Sequence, residues 1–468
     1  MPVTRKFQVL AKVETSEGVD SSPGASDAIL AYDPQASSDT ALLDRVPTGP
    51  SLSRDLRPVG RRSGELQFKS DFRGSGDTSA PIDEPDWGKL VKTSGMRAVT
   101  PRALTMPSPT GTGFQLGEEL TQSAGAIRAV IIGLFSAGAP VHRLTGAGTV
   151  VVVPILGTPT AAASTGASSG TTATASAIVD YAGVAYRPTS RKLQNMITAA
   201  ACAAAVGEVV SIERASVRVG GAQIIVNNGG FTNVDFTLLD GEVQNGDTVR
   251  AAAGGTTTIT TGPTMTETPS NTVQFNEDGE QRKILGARCD WTLGGAVYEP
   301  MQFTWTLRGD PGTAVDAVPV ATSGLSTISA PRLVGSICAY GRGAEIVKVA
   351  TKELSVARGA TVEPNLDANR ANGSTGSNVT DAQPEIQATV DRTHSAFAWE
   401  TFQGASTPIR FAAILGTTPG NIVGVIAPRC QVTGLTRGDA GGIATWQVTL
   451  APIRLLEAGD DELYLVQL

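Results

Sequence analysis

The chain has 468 residues and a formal net charge of −7, enough length for about three or four domains at the usual ~100–200 residues each. Hydrophobic residues make up 41% and charged residues only 17%, which excludes a disordered chain, and the acidic balance argues against a nucleic-acid binder held by a basic stripe. Closely spaced turn residues (Gly 53, Pro 27) in a Thr-, Val- and Ala-rich background predict many short strands and a mainly β fold.

In chain order, Phe7–Val13 alternates as a strand, Glu14–Gly24 reads as an acidic turn and Ser26–Ala31 as a second short strand. Residues 32–56 read as a long polar connection, and a structureless stretch of about twenty-five residues is usually functional. Asp55–Val59 reads as a strand joined by the basic turn Gly60-Arg61-Arg62-Ser63-Gly64 to Glu65–Gly74. There Leu66, Phe68 and Phe72 recur at even spacing with charges between them, the period of a half-buried strand. This stretch returns as Pro300–Gly309: Gln67, Phe68, Arg73 and Gly74 fall on Gln302, Phe303, Arg308 and Gly309. A fainter copy lies at Ile443–Leu450, and the Arg-Cys pairs at 288–289 and 429–430 each precede a Gly-rich turn and a Trp-bearing strand. Repetition of this kind predicts a sheet scaffold assembled from related halves.

Pro81–Pro85, with Asp83, Glu84 and Asp86 near a positive helix terminus, opens a helix over 85–95. Trp87, Leu90 and Val91 give it an apolar face, and Gly95 ends it. Residues 101–180 read as an inserted small β module, and 181–270 as a linking strand and a second module; Ala199–Ala205 fits helix or strand. Strands follow at Thr272–Phe275, Lys283–Leu293, Leu333–Ala339, Ile346–Leu354, Gln387–Val390, Ile409–Ile414 and Ile422–Val432, with a Trp399–Phe402 segment among them. Asp367–Asp381 reads as a long Asn/Gly/Ser-rich loop.

The chain offers little chemistry. His142 and His394 are far apart and lie near no nucleophile motif, and no Gly-x-Ser-x-Gly elbow or Walker sequence occurs. Gly341-Arg-Gly343 lacks the third glycine of a dinucleotide fingerprint. Asp367–Gly373 fails as a calcium loop: Ala371 cannot ligate by side chain and the closing Glu is missing. Asp460-Asp461-Glu462 reads as a solvated terminal turn. Cys202, Cys289, Cys338 and Cys430 form no Cys-x-x-Cys pair and read as buried small hydrophobes of a reducing compartment. The opening residues lack the apolar core of a signal peptide, and Val150–Leu156 is too short to span a bilayer.

Several of these stretches resemble the major tail tube proteins of long, non-contractile-tailed bacteriophages. They are Ala11–Thr15 with Gly18-Val19-Asp20, Ala25–Leu30, Phe72–Gly76, the 85–95 helix, Tyr186–Ser190, Asn276–Gly279 with Leu285–Arg288, Gly416–Asn421 and Gly459–Leu463. The resemblance covers roughly 1–100, 180–200 and 270–312 and is thinner over 331–468; the material inserted near 100–270 departs from the family pattern.

The resemblance implies a tail-tube β-sandwich or barrel fold with one short packing helix, split into 1–100 and 271–330, followed by a C-terminal β region and arm over 331–468. It implies hexameric rings stacked into a tube for double-stranded DNA in the virion, assembled in the bacterial cytoplasm. Tape measure, tail terminator and distal tail proteins would be the partners, with no enzymatic activity, cofactor or metal. Tyr32–Leu56 would be the stacking loop. Lys12, Glu14, Asp44, Arg45, Arg54, Arg61 and Arg62 would serve ring and stacking contacts, and Lys69, Asp71, Arg73 and Arg308 would stand on the lumen strands. The alternative is a virion or cell-surface β-sandwich adhesin that binds glycans through 101–270.

Overall fold

The alternation that dominates the sequence becomes strand: the structure is 62% strand and 4% helix, so the chain is mainly β, as its composition predicted. The computed structural model describes residues 7–42, 59–78, 84–122, 127–156, 159–189, 193–198, 209–214, 217–228, 233–241, 246–250, 256–266, 269–321, 328–367, 373–392, 397–456 and 460–468.

A first unit consists of β1 (Phe7–Val13), β2 (Tyr32–Leu42), β3 (Val59–Asp71), α1 (Gly88–Thr93), β4 (Asn271–Glu277), β5 (Glu280–Ala296) and β6 (Gln302–Pro311). All pairings are antiparallel, in the spatial order β1–β4–β5–β6–β3–β2. The second unit consists of β7 (Ile337–Arg342), β8 (Thr351–Ala357), β9 (Ala360–Leu366), β10 (Ser374–Ala382), β11 (Glu385–Asp391), α2 (Trp399–Gly404), β12 (Ile409–Leu415), β13 (Val423–Ala440) and β14 (Ile443–Pro452). Its order is β7–β12–β13–β14–β11–β8, again antiparallel throughout. With the β9–β10 hairpin set aside, the two units have the same chain order and the same pairing.

Register fixes the counterparts residue by residue. Asp71 faces Gln302 and Asp391 faces Thr445. Glu65-Leu-Gln-Phe-Lys-Ser-Asp71 therefore corresponds to Glu385-Ile-Gln-Ala-Thr-Val-Asp391. Gln302-Phe-Thr-Trp-Thr-Leu307 corresponds to Thr445-Trp-Gln-Val-Thr-Leu450. Trp291 faces Trp305 and Leu435 faces Val448, which matches Trp291-Thr-Leu-Gly-Gly-Ala296 with Leu435-Thr-Arg-Gly-Asp-Ala440.

This corrects the repeat read from sequence. Glu65–Gly74 and Pro300–Gly309 are not copies in two halves; β3 and β6 are neighbours within one unit, with Phe68 facing Trp305 and Leu66 facing Leu307. They look alike because both present the same alternation to one core. The true counterpart of β6 is β14, the fainter copy. The Arg-Cys pairs sit on corresponding strands but not at corresponding positions: Cys289 faces Leu307, whereas the residue facing Leu450 is Val432.

Other expectations shift with the pairing. Residues 32–42 are not loop but strand, because most of them find a partner on β3: Ser38 faces Gly64, Asp39 faces Ser63 and Thr40 faces Arg62. The same ladder removes the basic turn and puts Arg61 and Arg62 inside β3. Ser26–Ala31 is a short 3-10 turn, Ala25–Asp27, followed by a two-residue strand. Asp367–Asp381 is not an open loop; much of it belongs to the β9–β10 hairpin. Trp399–Phe402 is helical, so a second helix joins α1. Ala199–Ala205 lies outside the described residues.

Each helix lies against the core of its own unit and supplies a buried Trp, Trp87 beside α1 and Trp399 in α2. Trp87 packs against Phe72, Phe303 and Tyr186 at ring distances of 5.1–5.6 Å, and its indole N–H donates to the Arg73 carbonyl at 2.7 Å. Around α2, Trp399 packs on Tyr340 and Phe397 at 4.9 and 4.6 Å. Cys289, Cys338 and Cys430 are buried and free, in keeping with their reading as small hydrophobes; Cys202 lies outside the described residues.

The material between the two parts of the first unit forms separate bodies. Strands within 102–180 make a second sheet whose hydrophobic face packs on Ala339, Ala412 and Ile414. Those residues alternate along β7 and β12 with Tyr340, Phe411 and Ala413, which face the main core, so this module sits on the far side of the second unit's outer strands. Strands within 193–266 close into a small barrel. The C-terminal stretch is not an arm: Tyr464–Gln467 is a buried strand paired on one side with β13 and on the other with Val184–Tyr186.

Candidate functional site

The feature with functional character is the face of the strands that points away from the core. On β3, Leu66 and Phe68 are buried, which turns Glu65, Gln67, Lys69 and Asp71 the other way. On β6 the same alternation turns out Gln302, Thr304, Thr306 and Arg308. The second unit repeats it with Glu385, Gln387, Thr389 and Asp391 on β11, and Gln447 and Thr449 on β14. Between them β8 contributes Glu353 and Ser355. The result is one wall of amides, hydroxyls and carboxylates running across both units.

Local hydrogen bonds hold this wall in order. Gln67 donates to Glu65 at 2.7 Å, and its counterpart Gln387 donates to Glu385 at 2.5 Å. Asp71 accepts from Gln302 and from the Tyr32 hydroxyl, each at 2.9 Å. The cations on the first unit's wall lie next to carboxylates: Arg308 donates to Glu65 at 3.0 Å and Lys69 lies 4.0 Å from Asp33. Such pairs on an exposed surface contribute little stability, but they leave the wall with carboxylates in excess. Of the expected lumen residues, Lys69, Asp71 and Arg308 are brought together here. Arg73 is not: it lies past the end of β3, is buried, and pairs inward with Asp86 at 2.9 Å. The alternation holds through Phe72, which enters the aromatic core, and breaks at Arg73, where β3 has ended and the chain turns toward α1.

The residues expected to serve stacking divide in the same way. Glu14 is bound inside its own chain. It is 8% exposed and its carboxylate accepts from the Gly18 and Gly286 N–H groups, both at 2.8 Å, and from the Ser270 and Thr272 hydroxyls at 2.6 and 2.9 Å. A Glu followed by Gly-bearing turns far apart in sequence gives no hint of this knot. Nearby, Arg288 pairs with Glu17 at 2.7 Å, and Lys283 with Asp20 at 2.6 Å, so the 14–20 turn is tied to β5. Arg61 lines a polar cavity of about 330 Å³ with Asp39, Glu65, Arg308 and Glu363. Arg62 is exposed opposite Thr40. Asp44, Arg45 and Arg54 lie outside the described residues.

Lys12 is exposed on β1 and its charge acts on Asp27. Burial pushes the Asp27 carboxyl up, but the Gly24 N–H and Lys89, at 2.9 and 2.8 Å, outweigh it and hold the group below its ordinary 3.8. A carboxyl lowered on folding adds stability above its unfolded pKa and loses it as pH falls through the folded value. Asp27→Asn should therefore cost about 1 kcal/mol at neutral pH, with the gap to the unsubstituted chain closing as pH falls below the ordinary 3.8. Urea midpoints measured across pH check this.

Asp461 is likewise no solvated turn. It is fully buried and accepts from the Leu455 and Leu456 N–H groups at 2.9 and 2.8 Å, and burial raises its pKa and that of Glu462. Among the described residues there is no cluster of three metal-ligating side chains, and no helix is long and apolar enough to cross a membrane. No protein-family model matches the chain, and neither does any curated protein.

Proposed function

We propose that the chain is a structural protein that polymerises as stacked rings into a phage-type tail tube through which double-stranded DNA passes. The observation that carries this reading is the wall described above, a continuous polar sheet face with carboxylates in excess that runs unbroken across both units. Double-stranded DNA binds proteins mainly by exchanging counterions for Lys and Arg, and a wall of amides, hydroxyls and carboxylates offers it few such partners. A duplex inside such a wall is repelled from all sides and slides. The module over 102–180 lies on the outer strands, away from that wall, where it leaves a channel unobstructed.

Sedimentation and negative-stain microscopy of the full-length chain at rising concentration test this reading. Rings or hollow tubes are expected. A chain that stays monomeric at millimolar concentration, or one that binds glycans saturably without assembling, would sink the proposal and favour the adhesin reading.

A further inference from the structure

The two units meet along a sheet edge. Past Ala287, where the pairing with β4 stops, the outer edge of β5 is taken over by β8 of the second unit: Thr292 faces Ala357, Leu293 faces Val356, Gly294 faces Ser355 and Gly295 faces Leu354. Leu293, Leu354 and Val356 are fully buried, so the two cores fuse across this junction. The inner strands thus form one antiparallel sheet in the order β2–β3–β6–β5–β8–β11–β14–β13.

Its two ends are second copies of the elements that meet in its middle. β2 is the counterpart of β8, and β13 is the counterpart of β5. Among the described residues β2 pairs with β3 alone, and β13 beyond Cys430 pairs with β14 alone. Both edges are long and exposed, a liability that folded proteins cover. The core residues behind them are also incomplete. Ala36 and Leu435, the counterparts of fully buried Val356 and Trp291, are only partly buried.

We propose that β13 of one copy pairs antiparallel with β2 of the next copy, repeating the β5–β8 junction, so that each chain supplies two successive ring units and three chains close a ring. Transposing the internal register puts Thr436 opposite Ser37, Arg437 opposite Ala36 and Gly438 opposite Gln35 of the next copy. Ala36 is small where Arg437 replaces Leu293, which leaves room for the longer side chain. The β9–β10 hairpin shows how the contact extends. It folds back onto β5 and β6 of the first unit, where Ser377 donates to the Arg308 carbonyl at 2.6 Å. Gly286 and Gly376 approach so closely there that a Cβ on either would come within 2.7 Å of the other's backbone. The distal part of β2 and β3, carrying Arg61 and Arg62, occupies the corresponding place in the first unit and reaches to the preceding copy. Association of this kind is heterologous and closes by rotation. The junction follows from the chain's own sheet; the number three rests on the six-unit ring of the tube reading.

A chain carrying Ser37→Cys and Thr436→Cys tests the junction. Both positions are exposed, and directly opposed residues of an antiparallel pair lie within disulfide reach. After assembly and mild oxidation, non-reducing gels should show covalent trimers from the double variant and only monomer from either single variant. Native mass spectrometry of unsubstituted rings should count three chains, and a count of six overturns the three-chain ring. Tubes that form without this cross-link overturn the junction and leave the tube reading standing. A chain that forms no oligomer at all overturns both.

Discussion

Glu14→Ala should lower the stability of the unassembled chain by about 3–5 kcal/mol, as much as the loss of a fully buried tryptophan side chain. The carboxylate is the shared acceptor for two backbone N–H groups and two hydroxyls drawn from the 14–20 turn, β4 with the residue before it, and β5. Removing it leaves these donors facing an apolar side chain, and an unsatisfied buried donor costs about 1–3 kcal/mol. Gly286 deepens the dependence: its φ of +59° and its approach to Gly376 are compatible with few alternative arrangements that would let the N–H find water. Glu14→Gln keeps one acceptor oxygen but turns an amide toward donors, so its loss should fall between the two. Denaturant midpoints followed by tryptophan fluorescence below the assembly concentration give the comparison, since assembly adds stability by mass action. A loss below about 1 kcal/mol for the alanine variant would show that the knot is replaced by water at little cost.

Charge inversion on the sheet wall should have the second large effect, on function and not on folding. Glu353 and Glu385 are exposed on the polar face, one on each side of the β8–β11 pairing. Under the tube reading, Glu353→Lys with Glu385→Lys turns a repelling wall into a ring of cations repeated at every layer. Tubes of unchanged diameter are expected, because neither side chain enters the core. Short DNA duplexes should then bind them at low salt, with affinity falling steeply as salt rises, while unsubstituted tubes bind none. Delivery of DNA through such a tube should drop at least about tenfold, since bound phosphates must be released at each layer. Binding of DNA by unsubstituted tubes would contradict the assignment of this wall to a channel.

Much of the scaffold was legible in the residues. The alternation of Leu66, Phe68 and Phe72 located β3, the Trp87, Leu90 and Val91 spacing located α1, and β14 was visible as a faint copy of β6. The stronger relation, Glu65–Asp71 with Glu385–Asp391, was masked because Phe68 becomes Ala388 and Ser70 becomes Val390 in a differently packed core. The stretch most similar to β3 in sequence is β6, because the two share a face. β2 is hidden in the sequence for another reason: Asp, Ser and Gln dominate it and no apolar stripe marks it, so it is a strand by virtue of pairing with β3. α2 is only six residues long, too short for a helical period to stand out. The knot at Glu14 unites residues more than 250 positions apart in sequence, which no local pattern reveals. The wall, by contrast, follows from the strand period once the strands are in register.

A three-dimensional reconstruction of assemblies grown from the full-length chain decides whether this polar wall lines a channel. The expected result is a hollow tube whose inner surface is formed by β3, β6, β8, β11 and β14, with Gln67, Thr304 and Gln387 pointing inward and the 102–180 module outside. A reconstruction in which that face is packed against another layer of protein, or lies on the outer surface, would contradict it.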